Sequence, residues 1–498
     1  MNKKGIITVD VGTSSLRSVL FDEQGKVLLI SRRENPPEFL AEGRVRQDPQ
    51  SWKRLIPETL RECAQEAAYK GIGIVGLALT AQRSSVIPVD KRGTELYPAI
   101  MWQDTNTENI CSRMAASHSF VYNKTGLRIY PVFSAVKMTW LKENEGDVYA
   151  ATHKMLGIQD FMIHDLTGNF VTDQSLASRT NLLNLDTLDW DEELIALFGL
   201  KRDLLCDLVA PGSIAGYLTE DAAERTGLVA GLPLISAGGD QQCAALGMGL
   251  IGPGRMIANT GTGSYLITAS NQAKRDPGMG ISCNVAAVPG TFILEAGVIT
   301  SGSVYHWFHK EFYREAPVSG RKFAVIDAEA AVSPPGANGV ILLPHFRGKG
   351  SPNWNPLARG AFLNLTPGVT RGDMARSILE GIAAEMGENI QALENMAGKI
   401  EIIQVSGGMT ASALYNQIQA DSYAHRVARS NDAEATALGA WISAAVALGL
   451  FPSFEAAWKE ASKDSGGEEF IPIKANTEIY QDIAEKRKKL YEGMYPGA

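Results

Sequence analysis

Cysteine is scarce in this chain of 498 residues. The five present, Cys63, Cys111, Cys206, Cys243 and Cys283, form no Cys-x-x-Cys pair, and their number is odd. This spacing argues against a disulfide framework or a zinc site and fits a reducing cytoplasm. Small buried apolar residues is the plainer reading of all five. Long hydrophobic runs are also missing. The longest apolar stretch, residues 440–451, falls short of the ~20 residues that span a bilayer. Asp10 ends the N-terminal apolar run too soon for a signal peptide. The expectation is a soluble, cytoplasmic protein with no membrane partner. Positive charge is not in excess either, since the formal net charge is −8. A protein held by nucleic-acid phosphates needs a basic face, so no nucleic-acid partner is expected. Three motifs are absent altogether: the Gly-x-x-x-x-Gly-Lys-Ser/Thr loop, His-Glu-x-x-His and Gly-x-Ser-x-Gly. The seven histidines are scattered and give no metal constellation. Residues 247–252 do match Gly-x-Gly-x-x-Gly. They follow an Ala-rich helical run rather than a strand, so they read as a glycine-rich interdomain link.

What is present is one short pattern used twice. The first copy is Asp10-Val11-Gly12-Thr13-Ser14-Ser15 and the second Asn259-Thr260-Gly261-Thr262-Gly263-Ser264. Each follows an apolar run, puts Gly-Thr at the tip and returns into another apolar run, which is a hairpin signal. Turns of Gly, Thr and Ser expose backbone N–H groups and short hydroxyls that can wrap phosphate oxygens. Two of them, from two halves of a chain, suggest a nucleoside triphosphate held between related domains. Length and a hydrophobic content of 45% allow two large cores or three ordinary ones. Strands alternate with helical spacing throughout, which reads as α/β. Helical patterns fall at 51–69, at the four-residue repeat Met374, Ile378, Ile382, Met386, Ile390, and at 412–425. The tail at 477–491 reads as an amphipathic, lysine-rich helix packed as a lid with a solvated basic face. Gly252-Pro253-Gly254 marks a boundary, giving domains 1–250 and 251–498 with a hinge near 249–255.

The strongest acid candidate is Asp240. An apolar strand ends in Ala237-Gly238-Gly239, Asp240 follows, and a helical pattern begins, which is the rim where ligands bind an α/β sheet. The competing reading is a helix N-cap; the Gly-Gly pair, which permits close approach of a ligand, tilts it toward function. Asp10 beside Gly12-Thr13 is where Mg²⁺ would be held, largely through waters. Gln82-Arg83-Ser84 and Trp102-Gln103-Asp104 each follow an apolar run. They supply the donors, acceptors and aromatic face that grip a polyhydroxylated molecule, although each alone could be an ordinary loop with a capping Asp.

Taken together, these stretches resemble the FGGY carbohydrate kinases, in the sugar kinase/actin/heat-shock ATPase superfamily, and most of all their glycerol kinase branch. The resemblance runs from Gly5 to about Leu450. It implies two actin-like (ribonuclease H-like) domains with a cleft between them. It also implies transfer of phosphate from ATP, with Mg²⁺, to a small sugar or polyol in carbohydrate metabolism. By resemblance, Asp240 is the general base, and Asp10 with Asp240 forms the metal side. Gly12, Thr13 and Ser14, with Arg17 nearby, are the first phosphate turn. Gly261 and Thr262 are the second turn, Gly302 and His306 a nucleotide-contacting stretch, and Gly408 and Met409 the loop against adenosine. Gln82, Arg83, Trp102, Asp240 and Gln241 are the acceptor pocket. Many relatives are dimers or tetramers, so a homodimer or homotetramer is implied without a choice between them. The chain departs from glycerol kinases at Ser84, where they have Glu, and at Val132, where they have Tyr. Both changes remove a polar group and add room, so a longer polyol or a ketose is expected in preference to glycerol. His306 stands in place of the more usual Gln, and Arg347 is an additional basic residue without a functional reading. Two other classes stay open on the residues alone: a superfamily ATPase driving conformational change, and a catalytically silent sugar-binding regulator.

Overall fold

A computed structural model describes residues 3–314, 323–429, 434–463 and 466–496. Every residue from Gly5 to Val11 is buried. Such a strand needs both faces and both edges covered, and it takes the centre of a sheet. It is β1 (Lys3–Val11), with β2 (Ser15–Asp22) folding back antiparallel and β3 (Val27–Glu34) beyond it. On the other side lie β4 (Ile72–Ala81), β5 (Ser213–Tyr217) and β6 (Pro233–Gly239), in the order β5-β6-β4-β1-β2-β3. A second sheet contains β7 (Arg255–Thr260), β8 (Ser264–Ser270), β9 (Ser282–Val285), β10 (Phe292–Val298), β11 (Ile402–Ser406), β12 (Arg426–Arg429) and β13 (Glu468–Phe470). Its order is β9-β10-β8-β7-β11-β12-β13.

The two sheets share one plan. In the first, β3-β2-β1 are antiparallel and β1-β4-β6 parallel. In the second, β10-β8-β7 are antiparallel and β7-β11-β12 parallel. Both Gly-Thr turns therefore join the same pair of strands in their own sheet. The repeat lies in topology; the sequence betrays it only at the turns.

The helices used below are α1 (Pro49–Tyr69), α2 (Asp240–Gly247), α3 (Gly302–Phe312), α4 (Arg371–Ala397), α5 (Ala435–Ala447) and α6 (Lys474–Met494). Asp48 caps α1 by accepting from the Gln50 N–H at 3.0 Å. Pro49 fits the first helical position because no partner is needed there. Trp52, Ile56, Leu60, Cys63 and Ala67 are then buried against one face of the first sheet. The opposite face is covered from far along the chain. Leu438, Trp441 and Ile442 of α5 pack with Ile6, Val19, Phe21, Ala78 and Ile235, and Trp441 Nε1 donates to the Asp22 carbonyl at 3.2 Å. This explains why α5 is apolar all round: it is wedged between α2 and the back of the first sheet. No helix among the described residues is long and apolar enough to cross a membrane.

The tail helix α6 packs on α4 and on the helix Ala413–Tyr423. Lys486, Lys488 and Lys489 are exposed, as an amphipathic reading requires. Arg487 is not part of that solvated face. It is 1% exposed and pairs with Glu385 and Glu388 of α4, and burial pushes its guanidinium down to about 10.

Candidate active site

Register brings the first group of residues together. Val11, Ala81 and Gly239 lie side by side at the ends of the parallel strands β1, β4 and β6. The next residues on each strand, Gly12-Thr13, Gln82-Arg83 and Asp240, therefore share one sheet edge. Gln82 and Trp102, expected in the acceptor pocket, are joined to the first turn. Thr13 Oγ1 donates to Gln82 Oε1 at 3.3 Å, Trp102 Nε1 donates to Thr13 Oγ1 at 3.1 Å, and Gln82 Nε2 donates to the Gly12 carbonyl at 3.3 Å. Trp102 is 36% exposed, leaving part of its indole open to a ligand. Gln241 is exposed beside Asp240. Asp104 is different. It is buried, accepts from the Val45 N–H at 2.8 Å and pairs with Arg46. It anchors the 45–47 strand and is a structural residue, which corrects its reading as a ligand contact.

Asp240 opens α2 at its first helical residue, after Gly239 as N-cap. Its Oδ1 accepts from the Gln241 N–H at 2.8 Å, so it caps no deeper N–H of the helix. Arg83 Nε lies 3.8 Å from the same oxygen. That is beyond hydrogen-bond length, so the carboxylate is near a cation and not locked to it. Burial pushes the Asp240 carboxyl up, Arg83 and Arg179 pull it back, and Glu295 adds to the rise. A quarter of the side chain, 25%, remains open, which moderates the effect. The Gly238-Gly239 pair does permit close approach, but of protein groups. A Cβ on Gly239 would meet Arg83 Cγ and Cδ at 2.8 Å and Gln242 Oε1 at 2.7 Å. Only glycine there lets Arg83 lie beside Asp240.

Asp10 is held by Arg17, with Nε at 3.1 Å and Nη2 at 2.9 Å from Oδ2. Arg17 also reaches Glu434 at 3.2 Å, at the mouth of α5. Burial raises the Asp10 carboxyl to about 6; Asp240 and Glu434 add to this and Arg17 opposes it. A carboxyl whose ionisation is opposed by a neighbouring acid, as Asp240 opposes that of Asp10, is eased by a cation. Among the described residues no cluster of three metal-ligating side chains exists. A cation held by Asp10 and Asp240 would take waters and substrate phosphates as its other ligands.

The second turn is built the same way. Asn259 of β7 pairs with Ser406 of β11, so the 261–263 turn lies beside Gly407-Gly408. Gly302 N–H donates to the Gly261 carbonyl at 2.9 Å, and the N–H groups of Ser301 and Ser303 donate to the Thr262 carbonyl at 3.1 and 3.2 Å. Gly407 has φ 98° and packs on the Thr260 backbone, where a Cβ would collide. Met409 Sδ lies 3.8 Å from Ser301 Oγ. Gly408 and Met409 line a hollow with Tyr305, Phe323, Asp327, Leu379 and Ser412, and Tyr305 donates to Asp327 at 2.7 Å. His306 is on the exposed side of α3, its ring edge-on to Phe323 at 6.3 Å. Tyr305, its neighbour, is the residue that lines the hollow.

Sequence reasoning missed Glu295, Arg179 and Asn284. Glu295 Oε1 accepts from Arg83 Nη1 at 3.0 Å and Oε2 from Arg179 Nη1 at 2.9 Å. Asn284 Nδ2 donates to Oε2 at 2.9 Å. The available signal was a lone acid inside the apolar strand FILEAGV, which burial alone disfavours. Behind the pocket lies a cavity of about 30 Å³ lined by Gln82, Ser84, Ser134, Asp160 and Cys206, room for water and not for a sugar.

The comparisons agree with this architecture. Family models described as FGGY family of carbohydrate kinases, N-terminal domain and C-terminal domain, match residues 5–247 and 256–448. A glycerol kinase of Mycoplasmoides gallisepticum is 31% identical over 473 residues, covering 90% of each chain. A xylulose kinase from Rhodospirillum rubrum superposes with a TM-score of 0.92 at 25% identity over 99% of both chains. A gluconate kinase from Lactobacillus acidophilus does so with 0.90 at 25% identity and 99% of both. With both halves matched in order, and two sheets of one plan each presenting a glycine-threonine turn, the chain belongs to the FGGY family of carbohydrate kinases, which are phosphotransferases.

Proposed function

We propose that this kinase uses Mg-ATP to phosphorylate a hydroxyl of a polyol longer than glycerol, or of a ketose, with Asp240 as general base. Residues 1–250 supply the acceptor site and the first phosphate turn, and 251–498 the nucleotide side, with a hinge near 249–255. Asp240 takes the proton as the acceptor oxygen attacks the terminal phosphorus. Its raised carboxyl is a better base than a solvated aspartate. The N–H groups around Gly12-Thr13 and Gly261-Thr262 stabilise charge on the phosphoryl oxygens. Asp10 and Asp240 would hold Mg²⁺, largely through waters, and the ion would neutralise phosphate charge. Gln82, Arg83 and Trp102 orient the acceptor, and Tyr305, Gly408 and Met409 take the base. Closure of the two halves excludes water and limits wasteful hydrolysis.

The observation that carries the acceptor preference is Ser84. Its hydroxyl donates to the Arg179 carbonyl at 3.3 Å, so it replaces neither the charge nor the reach of a glutamate. Val132 likewise offers no phenol. A site missing those partners discriminates against the ligand that needs them. The test restores them. The Ser84→Glu, Val132→Tyr double variant is expected to raise kcat/KM for glycerol relative to the best C4–C6 acceptor by roughly tenfold or more. A ratio that does not move contradicts the assignment of specificity to these two positions.

A further inference from the structure

The Arg83–Glu295–Arg179 bridge joins parts of the chain 212 and 116 residues apart. Arg83 follows the central strand β4 of the first sheet, and Arg179 lies in the segment 174–184, where Ser175 Oγ accepts from the Gly239 N–H at the end of β6 at 3.1 Å and Ser178 Oγ from the Val285 N–H of β9 at 3.2 Å. Glu295 belongs to β10 of the second sheet. Each carboxylate oxygen takes one guanidinium, and Asn284 on β9 fixes the second oxygen. Arg83 Nη1 also donates to Gln242 Oε1 at 3.3 Å. Arg179 lies over the Phe133 ring with Cζ 4.8 Å from the centroid, next to Val132. Its Nε is buried without a hydrogen-bond partner. Neither arginine is used up by the bridge: Arg83 Nε stands 3.8 Å from Asp240, and Arg179 keeps a free donor.

We propose that Glu295 is a positioning residue for acceptor binding: from the second sheet it holds Arg83 and Arg179 of the first, so that their remaining donors meet the acceptor oxygens beside Asp240. The proposal rests on the reading of the Arg83–Asp240 edge as the acceptor site. A pair of guanidiniums side by side repel, and without an acid between them they splay into water or turn onto Asp240 itself. One carboxylate with both oxygens occupied prevents both outcomes. Because that carboxylate comes from the other sheet, the acceptor site is complete only when the two halves are docked. The acceptor must then be rich in oxygen acceptors, such as hydroxyls flanking a carbonyl, at the end away from the phosphorylated hydroxyl.

Glu295→Gln keeps the shape and loses the charge. It is expected to raise KM for the best acceptor roughly tenfold, while KM for ATP moves less than about twofold. A role limited to holding the fold would move both constants together or neither, and that result overturns the proposal. Arg179→Met adds a second readout. The double variant is expected to be little worse than the poorer single one, because the two act as a unit; strict additivity also overturns it. If Glu295→Gln does not fold, Asn284→Ser serves, since it loosens the hold on Arg179 from the same side: Asn284 donates to Glu295 Oε2 at 2.9 Å and its Oδ1 accepts from Arg179 Nη1 at 3.1 Å. A raised acceptor KM supports the proposal and an unchanged one refutes it. Wild-type enzyme with no acceptor-dependent ADP release would sink the acceptor-site reading itself, independently of any variant.

Discussion

Asp240→Asn is expected to lower kcat by roughly 10²–10⁴-fold while leaving the acceptor and ATP KM values within about threefold of wild type. Asparagine matches aspartate in size and can still accept from the Gln241 N–H. Arg83, 3.8 Å away, loses only a loose ion pair. What disappears is the ability to take the acceptor's proton as the oxygen–phosphorus bond forms. Phosphoryl transfer leaves the protein few other chemical tasks, because most of the rate comes from positioning and charge stabilisation. The residual rate should therefore be supported by the two turns and should stay acceptor-dependent. Initial rates of ADP formation, with acceptor and ATP varied in turn, separate the cases. Near-wild-type kcat would remove Asp240 from the chemistry. A large KM change with intact kcat would make it a binding group instead.

Arg487→Met is expected to destabilise the protein by about 3 kcal/mol, while Lys486→Met changes stability by less than about 0.5 kcal/mol. The two residues are adjacent on α6 and carry the same charge, so composition cannot separate them. Lys486 meets Asp482 in solvent, with 60% and 61% of the side chains exposed, where an ion pair contributes little. Arg487 pairs with Glu385, and each side chain is only 2% exposed. Without Arg487, Glu385 is left with Lys349 at 3.9 Å and His345 at 3.8 Å. Burial, more than Arg487 or Lys349, holds His345 down at about 3, and burial still opposes its charge once Arg487 is gone. Glu385→Gln in the Arg487→Met background should recover part of the loss by removing the stranded carboxylate. Urea unfolding of the three variants measures this. Equal effects at 486 and 487 would contradict the buried pair.

These two residues mark the limits of the sequence as a guide. Asp240 was legible because its signal is local: an apolar strand, two glycines, an acid and a helix within a few residues. The two glycine-threonine hairpin turns and α1 were legible for the same reason, since hairpin chemistry and helical spacing repeat within short windows. Arg487 was not, because the lysines around it make a solvated face and its burial depends on acids about a hundred residues away. Glu295 and Arg179 escaped for a similar reason. Each is unremarkable in its own strand or loop, and only register and the meeting of the two halves make them partners. The α5 segment gave its apolar character in sequence but not its address on the back of the first sheet. Asp104, two residues from Trp102, looked like a ligand contact because a buried anchor and a binding acid have the same local signature.

The central claim is that this cleft moves phosphate from ATP to an alcohol bulkier than glycerol. Its most direct test is the initial rate of ADP release by the wild-type enzyme across C3–C7 polyols and ketoses, with a control lacking any acceptor. The account predicts little release without acceptor, and a higher kcat/KM for at least one tetritol, pentulose or hexulose than for glycerol. Release that ignores the acceptor, or glycerol as the best substrate of the panel, would contradict it.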